Sequence, residues 1–302
     1  LRKERREQQQ KAYDEQQKFI AETEAFIERC LNSLLRQTYE NLEIICINDA
    51  STDNTAQTVK KINDPRIRLI NNEQNLGISL TRNRGMEIAR GKYIGFIDSD
   101  DFVDPDFYEK LHRAAVANDA EVVTAATSVE WPDKTKIWAG RPGVCTGFAD
   151  KLKAVRNGSC WNKLYQTDFL RKHKLEFPAG LIAEDNFFII RCLHCCAGLA
   201  VIDDTRYHYI MMPSSLTHDP QKAEKRKNDS LTISRMIVEF IEQNAPEHKK
   251  AAVAFIIKNV VAAQYFADIG YYRQFKAFAG FSGMLFKARF KALRRKWTGK
   301  IK

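Results

Sequence analysis

The stretch YIGFIDSDD, Tyr93 to Asp101, decides the fold. It begins as an apolar run of strand type and ends in three carboxylates, Asp98, Asp100 and Asp101, around Ser99. In parallel α/β sheets, ligands sit outside the carboxyl ends of the strands. So much negative charge at one tip repels itself unless something positive neutralises it. Aspartates spaced Asp-x-Asp at a strand end therefore point to a divalent cation, Mn²⁺ or Mg²⁺, whose shell is completed by water and phosphate oxygens. The plain alternative is a solvated turn, where Asp and Ser are common.

Working outward, LEIICINDASTDNT (Leu42 to Thr55) repeats the arrangement: a buried strand runs into Asn48, Asp49, Ser51, Thr52, Asp53 and Asn54. Two polar strand tips in one domain favour a site over two unrelated turns. Around them, AFIERCLNSLLRQ spaces Phe26, Ile27, Cys30, Leu31, Leu34 and Leu35 as a helix does. STDNTAQTVKKI opens with capping residues and continues as a helix. RIRLIN and AEVVTAA read as strands. SLTRNRGMEIARG reads as a helix closed by Gly91, and PDFYEKLHRAAVAN as one with Pro105 near its first turn. This alternation predicts an α/β domain of βαβ units on a mainly parallel sheet. The region from about 131 to 177 reads as irregular. A helix over Glu184 to Cys196, a strand at Leu199 to Ile202, an extended piece at Tyr207 to Met211 and helix from Pro220 onward complete the chain. Neither a G-x-G-x-x-G after a strand nor a G-x-x-x-x-G-K-[ST] occurs, which excludes those two phosphate-binding designs.

The 302 residues suffice for one large α/β domain with a helical annex. The expected division is a charged helical or disordered lead over 1–24, an α/β domain over 25–219 and a helical region over 220–302. The seven cysteines are odd in number and several lie in apolar runs, which reads as reduced thiols. Cys192, Cys195 and Cys196 beside His194 sit too close on one helix to converge on one ion. Net charge is +10, but eight Lys or Arg and no acid lie from Leu285 to the end. The positive charge thus belongs to the tail, which argues against a nucleic-acid binder. No secretory signal is visible. Ala251 to Ala267, interrupted by Lys258, Asn259 and Gln264, is too short and polar for a membrane span.

With these motifs in order, the chain from about Ala25 to His218 resembles the nucleotide-sugar half of glycosyltransferase family 2, the inverting enzymes of GT-A fold, in the type that builds bacterial surface polysaccharides. LIAEDNFFIIRC resembles the family's Glu-Asp element; GSCWNKLYQTDFLRKHKLEF and RYHYIMMPSSLTH resemble linking segments. The resemblance implies a nucleotide-sugar donor, a UDP-sugar, and a glycan or lipid-linked acceptor. It implies that Asp49 meets the nucleotide base, and that Arg82, Asp98 and Ser99 lie along the donor. Asp100, with Asp98, would hold the metal on the diphosphate, and Asp101 would support them. Asp185 matches the general base, with Glu184 as its rival. Thr81 stands where the family's Ala precedes the Arg. Trp161, Lys163, His208 and His218 are further candidates for the acceptor or phosphate side.

One departure matters. The family opens with an apolar strand ending in a Pro-x-Tyr-Asn type of turn, whereas AYDEQQKFIAET precedes Ala25 here. A sheet strand is then missing from the expected place, which leaves a second reading open: a catalytically silent nucleotide-sugar or glycan-binding subunit of the same fold. At the other end, MLFKARFKALRRKW sets Leu285, Phe286, Phe290, Leu293 and Trp297 among basic residues. A basic amphipathic helix with aromatic residues suits an anionic membrane surface, as does a solvated helix that packs its apolar face on the body. The expected location is cytoplasmic, peripheral on the inner face of the cell membrane, with oligomerisation possible.

Overall fold

Helix α1, residues 25–35, buries Ile27, Cys30, Leu31 and Leu34, the stripe that the sequence spaces at helical intervals. The computed structural model describes residues 25–155, 157–211, 220–280 and 283–298. The charged lead and His218 lie outside the described residues.

After α1, β1 (Ile44–Asn48) pairs in parallel with β2 (Ile67–Asn71) through the crossover helix α2 (Thr55–Lys61). Next, α3 (Ile78–Ile88) leads to β3 (Tyr93–Gly95), the strand that ends in the acidic tip. Its cap is Ala89, in extended conformation, so α3 stops two residues before the expected Gly91. β4 (Phe102–Val103) and α4 (Phe107–Ala117) follow. β5 (Val122–Trp131) is buried from Val122 to Val129 on both faces, as a central strand must be.

The region expected to be irregular contains β6 (Lys134–Trp138), β7 (Gly143–Cys145), α5 (Phe148–Ala154), β8 (Lys163–Gln166) and α6 (Thr167–Lys172). These elements escaped notice because β6 is exposed and polar, β7 is three residues long, and β8 runs straight into α6. Beyond them come α7 (Glu184–Cys195) and one long strand, β9 (Leu199–Ile210), where two pieces were expected. The exposed Asp203 and Asp204 mask its continuity.

The larger sheet runs β3-β8-β5-β9-β4, with β6 on β5 and β7 on β9. The fold is α/β with helices on both sides, as the sequence implies, and its ladders are mixed. β1–β2 and β5–β9 are parallel; the ladders to β3, β4, β6, β7 and β8 are antiparallel. The mainly parallel sheet of the sequence reading is thereby corrected: the polar middle region supplies strands that return as antiparallel neighbours. Helices α8 (Ala223–Asn244), α9 (Lys249–Asn259), α10 (Ile269–Ala279) and α11 (Gly283–Trp297) share an apolar cluster with α5, α6 and α7. None of the described helices is long and apolar enough to cross a membrane.

Among the described residues, β1 pairs only with β2 and β3 only with β8. The residues of both strands line one cleft, through Ile44, Ile45 and Ile47 on one side and Tyr93 to Ile97 on the other. No described strand lies between them.

Candidate active site

The tip of β3 is a tight turn, closed by the Asp101 N–H donating to the Asp98 carbonyl at 3.1 Å. Asp101 points inward and is fully buried. Its carboxylate accepts from the Tyr207 hydroxyl at 2.7 Å and from the Ile210 N–H at 2.8 Å. Burial, then Asp100 and Asp98, pushes this carboxyl up to about 9. Asp101 therefore pins the turn to β9 and stays out of solvent. Asp98, Ser99 and Asp100 are left to face the cleft. Burial, then Asp98, pushes the Asp100 carboxyl up to about 6. The Asp100 carbonyl accepts from Arg29 Nη2 at 2.7 Å, and burial raises the Cys30 thiol lying beneath the turn.

Arg82 is brought to the same cleft by α3. Its guanidinium donates to Asp98 Oδ1 and to Glu184 Oε1, each at 2.7 Å. This fork ties the β3 tip to the first turn of α7 across the molecule. Glu184 is nearly buried and its carboxyl is raised, by burial before Arg82 counteracts it. Asp185 also faces the cleft; burial and then Glu184 push its carboxyl up to about 7. Ala183, just before it, has a φ of 68°, a conformation uncommon outside glycine. Such strain gathers at functional sites.

Asn186 Nδ2 donates to Asp185 Oδ1 at 3.0 Å. Asn186 Oδ1 and Asn157 Nδ2 are buried without a hydrogen-bond partner, and both residues line the cleft. Lys258 and Asn259 line it too. The one trace of these last two in the sequence is that they interrupt an apolar helical run; Asn157 and Asn186 carried no signal apart from lying beside the motifs. Trp161 lines the cleft and stacks on Tyr207 at 4.2 Å between ring centroids.

The cleft encloses about 1810 Å³ and extends from the acidic tip along the slot between β1 and β3. Asp49 is not among the residues that line it. Asp49 Oδ1 accepts from Asn72 Nδ2 at 2.7 Å and the Leu76 N–H at 2.8 Å, and Oδ2 accepts from the Gly77 N–H at 2.8 Å. It closes the loop before α3, where Gly77 has a φ of +82°. Lys163 lies behind the wall and does not line the cleft: fully buried, it donates to the Ser159 carbonyl and to Asn162 Oδ1, both at 2.6 Å, and burial lowers its amine to about 8. His208 bridges Asp104 at 2.7 Å and Glu130 at 2.5 Å and stacks on Phe102, a structural bridge between β4 and β5.

The donor set at the β3 tip fits a hard divalent cation. Two carboxylates two positions apart in the turn, Asp98 and Asp100, face solvent space together, and among the described residues only Asp98 is ion-paired there. Among the described residues, no preformed group of three or more His, Cys, Asp or Glu is present, so other oxygens complete any shell.

An α/β fold with the acidic tip of β3 and the Glu184–Asp185 pair on one deep cleft fits a transferase class, and comparison with known proteins agrees. The model of "Glycosyl transferase family 2" matches residues 13–178. A Bacillus subtilis (strain 168) protein named glycosyltransferase EpsH is 32% identical over 79% of this chain and 72% of its own length. An Escherichia coli (strain K12) protein named glycosyltransferase YibD is 32% identical over 66% of this chain and 61% of its own length. S. aureus TarS residues 1–349, in complex with UDP-GlcNAc, superposes with a TM-score of 0.60 at 18% identity, over 90% of this chain and 86% of that one. The mannosyltransferase PcManGT of Pyrobaculum calidifontis, in complex with GDP-Man and Mn²⁺, gives 0.58 at 16%, over 91% and 79%. The chain belongs to glycosyltransferase family 2 and is a glycosyltransferase of bacterial type.

Proposed function

We propose that this cleft transfers a sugar, with inversion, from a UDP-sugar to a hydroxyl of a cell-surface glycan or lipid-linked acceptor. The observation that carries the reading is the Arg82 fork, which sets Asp98 and Asp100 on one wall of the cleft and Asp185 on another. Asp100 and Asp98 would hold Mn²⁺ or Mg²⁺, which when bound supplies Lewis-acid stabilisation of the departing diphosphate. Ser99 lies beside it, and Asp49 supports the nucleobase side by holding the loop before α3. Asp185 takes the proton from the acceptor hydroxyl, and Asn186 holds one oxygen so that the other faces the acceptor. Glu184 is committed to Arg82, which favours Asp185 over Glu184 as the base. Such proton transfer typically contributes about 10²–10⁴-fold. The oxygen attacks the anomeric carbon from the face opposite the diphosphate, so the configuration inverts and no sugar–enzyme bond forms. TarS with UDP-GlcNAc and PcManGT with GDP-Man and Mn²⁺ support this class of donor and ion.

The test is a screen of UDP-sugars with Mn²⁺, read by product mass, with EDTA and Asp185→Asn as controls. Turnover that survives Asp185→Asn would overturn the role of Asp185. Among the described residues no strand joins β1 to β3, and this favours one second reading, a silent nucleotide-sugar or glycan-binding subunit. Calorimetric binding of UDP, with no donor turned over, would establish it instead.

A further inference from the structure

Helix α11 has two apolar stripes, and among the described residues only one is covered. Leu285 and Ala292 are fully buried, and Ala288 packs on the same cluster. Arg289 fastens this side, donating to the Phe266 carbonyl at 3.4 Å with its guanidinium 4.2 Å from the Tyr272 ring centroid. Phe286, Phe290, Leu293 and Trp297 follow the spacing i, i+4, i+7, i+11. At 100° per residue they form a stripe roughly 130° round the helix from the buried one. They are 55%, 63%, 40% and 89% exposed. The aromatic residues therefore do not pack on the body. Lys287, Lys291 and Arg294 border the exposed stripe on one side and Lys296 on the other, and the helix carries no acid.

We infer that this outer stripe of α11 is a docking surface for an anionic lipid bilayer, with Phe286, Phe290, Leu293 and Trp297 entering the headgroup boundary and the basic rim contacting the lipid phosphates. Charge complementarity selects this occupant. A protein groove would need acids matched to each basic residue, whereas an anionic bilayer meets the whole rim at once. Four large apolar side chains held outward on a helix that is already anchored also need no refolding to insert. The surface stands apart from the choice of donor. It deepens the proposed function only in placing the protein where a lipid-linked acceptor resides.

The full chain is to be floated with vesicles of phosphatidylcholine alone and with about one third phosphatidylglycerol. Each basic residue near such a surface contributes roughly fivefold in partitioning. Binding is expected on the anionic vesicles, at least tenfold weaker on neutral ones, and reduced by salt. The triple variant Lys287→Gln, Lys291→Gln, Arg294→Gln should lose about 100-fold. The variant Phe290→Ser, Trp297→Ser should lose at least tenfold while the charge is unchanged. Circular dichroism and UDP binding should match the parent in both variants, which separates loss of docking from loss of fold or of the donor site. Equal partitioning of parent and variants overturns the inference. So does dimerisation in the absence of lipid that Trp297→Ser abolishes, because the stripe would then be covered by a second copy.

Discussion

Gly158 lies against the Asn186 side chain so closely that a Cβ there would sit 1.8 Å from Asn186 Oδ1. Asn186 in turn donates to Asp185. A glycine in one loop thus sets the orientation of a carboxylate on another element. Gly158→Ala is expected to displace Asn186 and lower kcat about tenfold, a barrier change of about 1.4 kcal/mol, while donor KM stays within about twofold. Asn186→Ala should behave alike. Steady-state kinetics check this; an unchanged kcat for both variants would remove Asn186 from the positioning of Asp185.

Asp185 predicts a pH dependence. Only the ionised carboxylate accepts a proton, so kcat/KM should rise with pH through about 7 and be lost below it. The stability sign runs the other way. Burial raises the folded-state carboxyl above its ordinary range to about 7, so folding favours the protonated form and loses that contribution as pH rises from about 4 through about 7. Asp185→Asn should therefore be inactive yet melt higher than the parent at pH 8. A lower melting temperature for the variant at that pH would contradict the burial argument.

Arg82 holds two carboxylates with its side chain only 11% exposed. Arg82→Met strands both, and removing one partner of such a buried pair costs about 3–5 kcal/mol. Urea unfolding measures it. Arg82→Lys, unable to fork, is expected to recover part of the stability but little donor binding. A Lys variant that binds UDP like the parent would show that charge, and not bidentate geometry, is what the site needs.

Asp101 is the hidden member of the acidic cluster. Asp101→Ala leaves the Tyr207 hydroxyl and the Ile210 N–H without their acceptor, at about 1–3 kcal/mol for each such group. Denaturant titration should show the loss, with Tyr207→Phe showing a smaller one. If Asp101→Ala is as stable as the parent, the turn is held by other contacts.

Much of this was legible in the residues. The apolar runs of β1, β2 and β5 and the spaced stripes of α1 and α4 are periodic, and periodicity is local. The Asp98–Asp101 tip and the Glu184–Asp185 pair were visible because charge adjoining an apolar run stands out. The middle region was not legible. β6 is polar and exposed, and β8 is buried only because β3 and β5 flank it, which no window of its own sequence reveals. Asp49 was expected at the nucleotide base; that both its oxygens engage the loop after β2 is a pairing no local window shows.

By itself the sequence determined the alternating α/β pattern, the acidic strand ends and the crowding of positive charge in the final helix, because each depends on neighbours along the chain. Only the tertiary structure decided that Arg82 joins nearby Asp98 to Glu184, 102 residues from the arginine, that Asp101 turns inward while Asp100 turns outward, and that the aromatic stripe of α11 is exposed. Those are choices of which group faces which, and they arise from packing between segments remote in sequence, where burial and pairing are settled together.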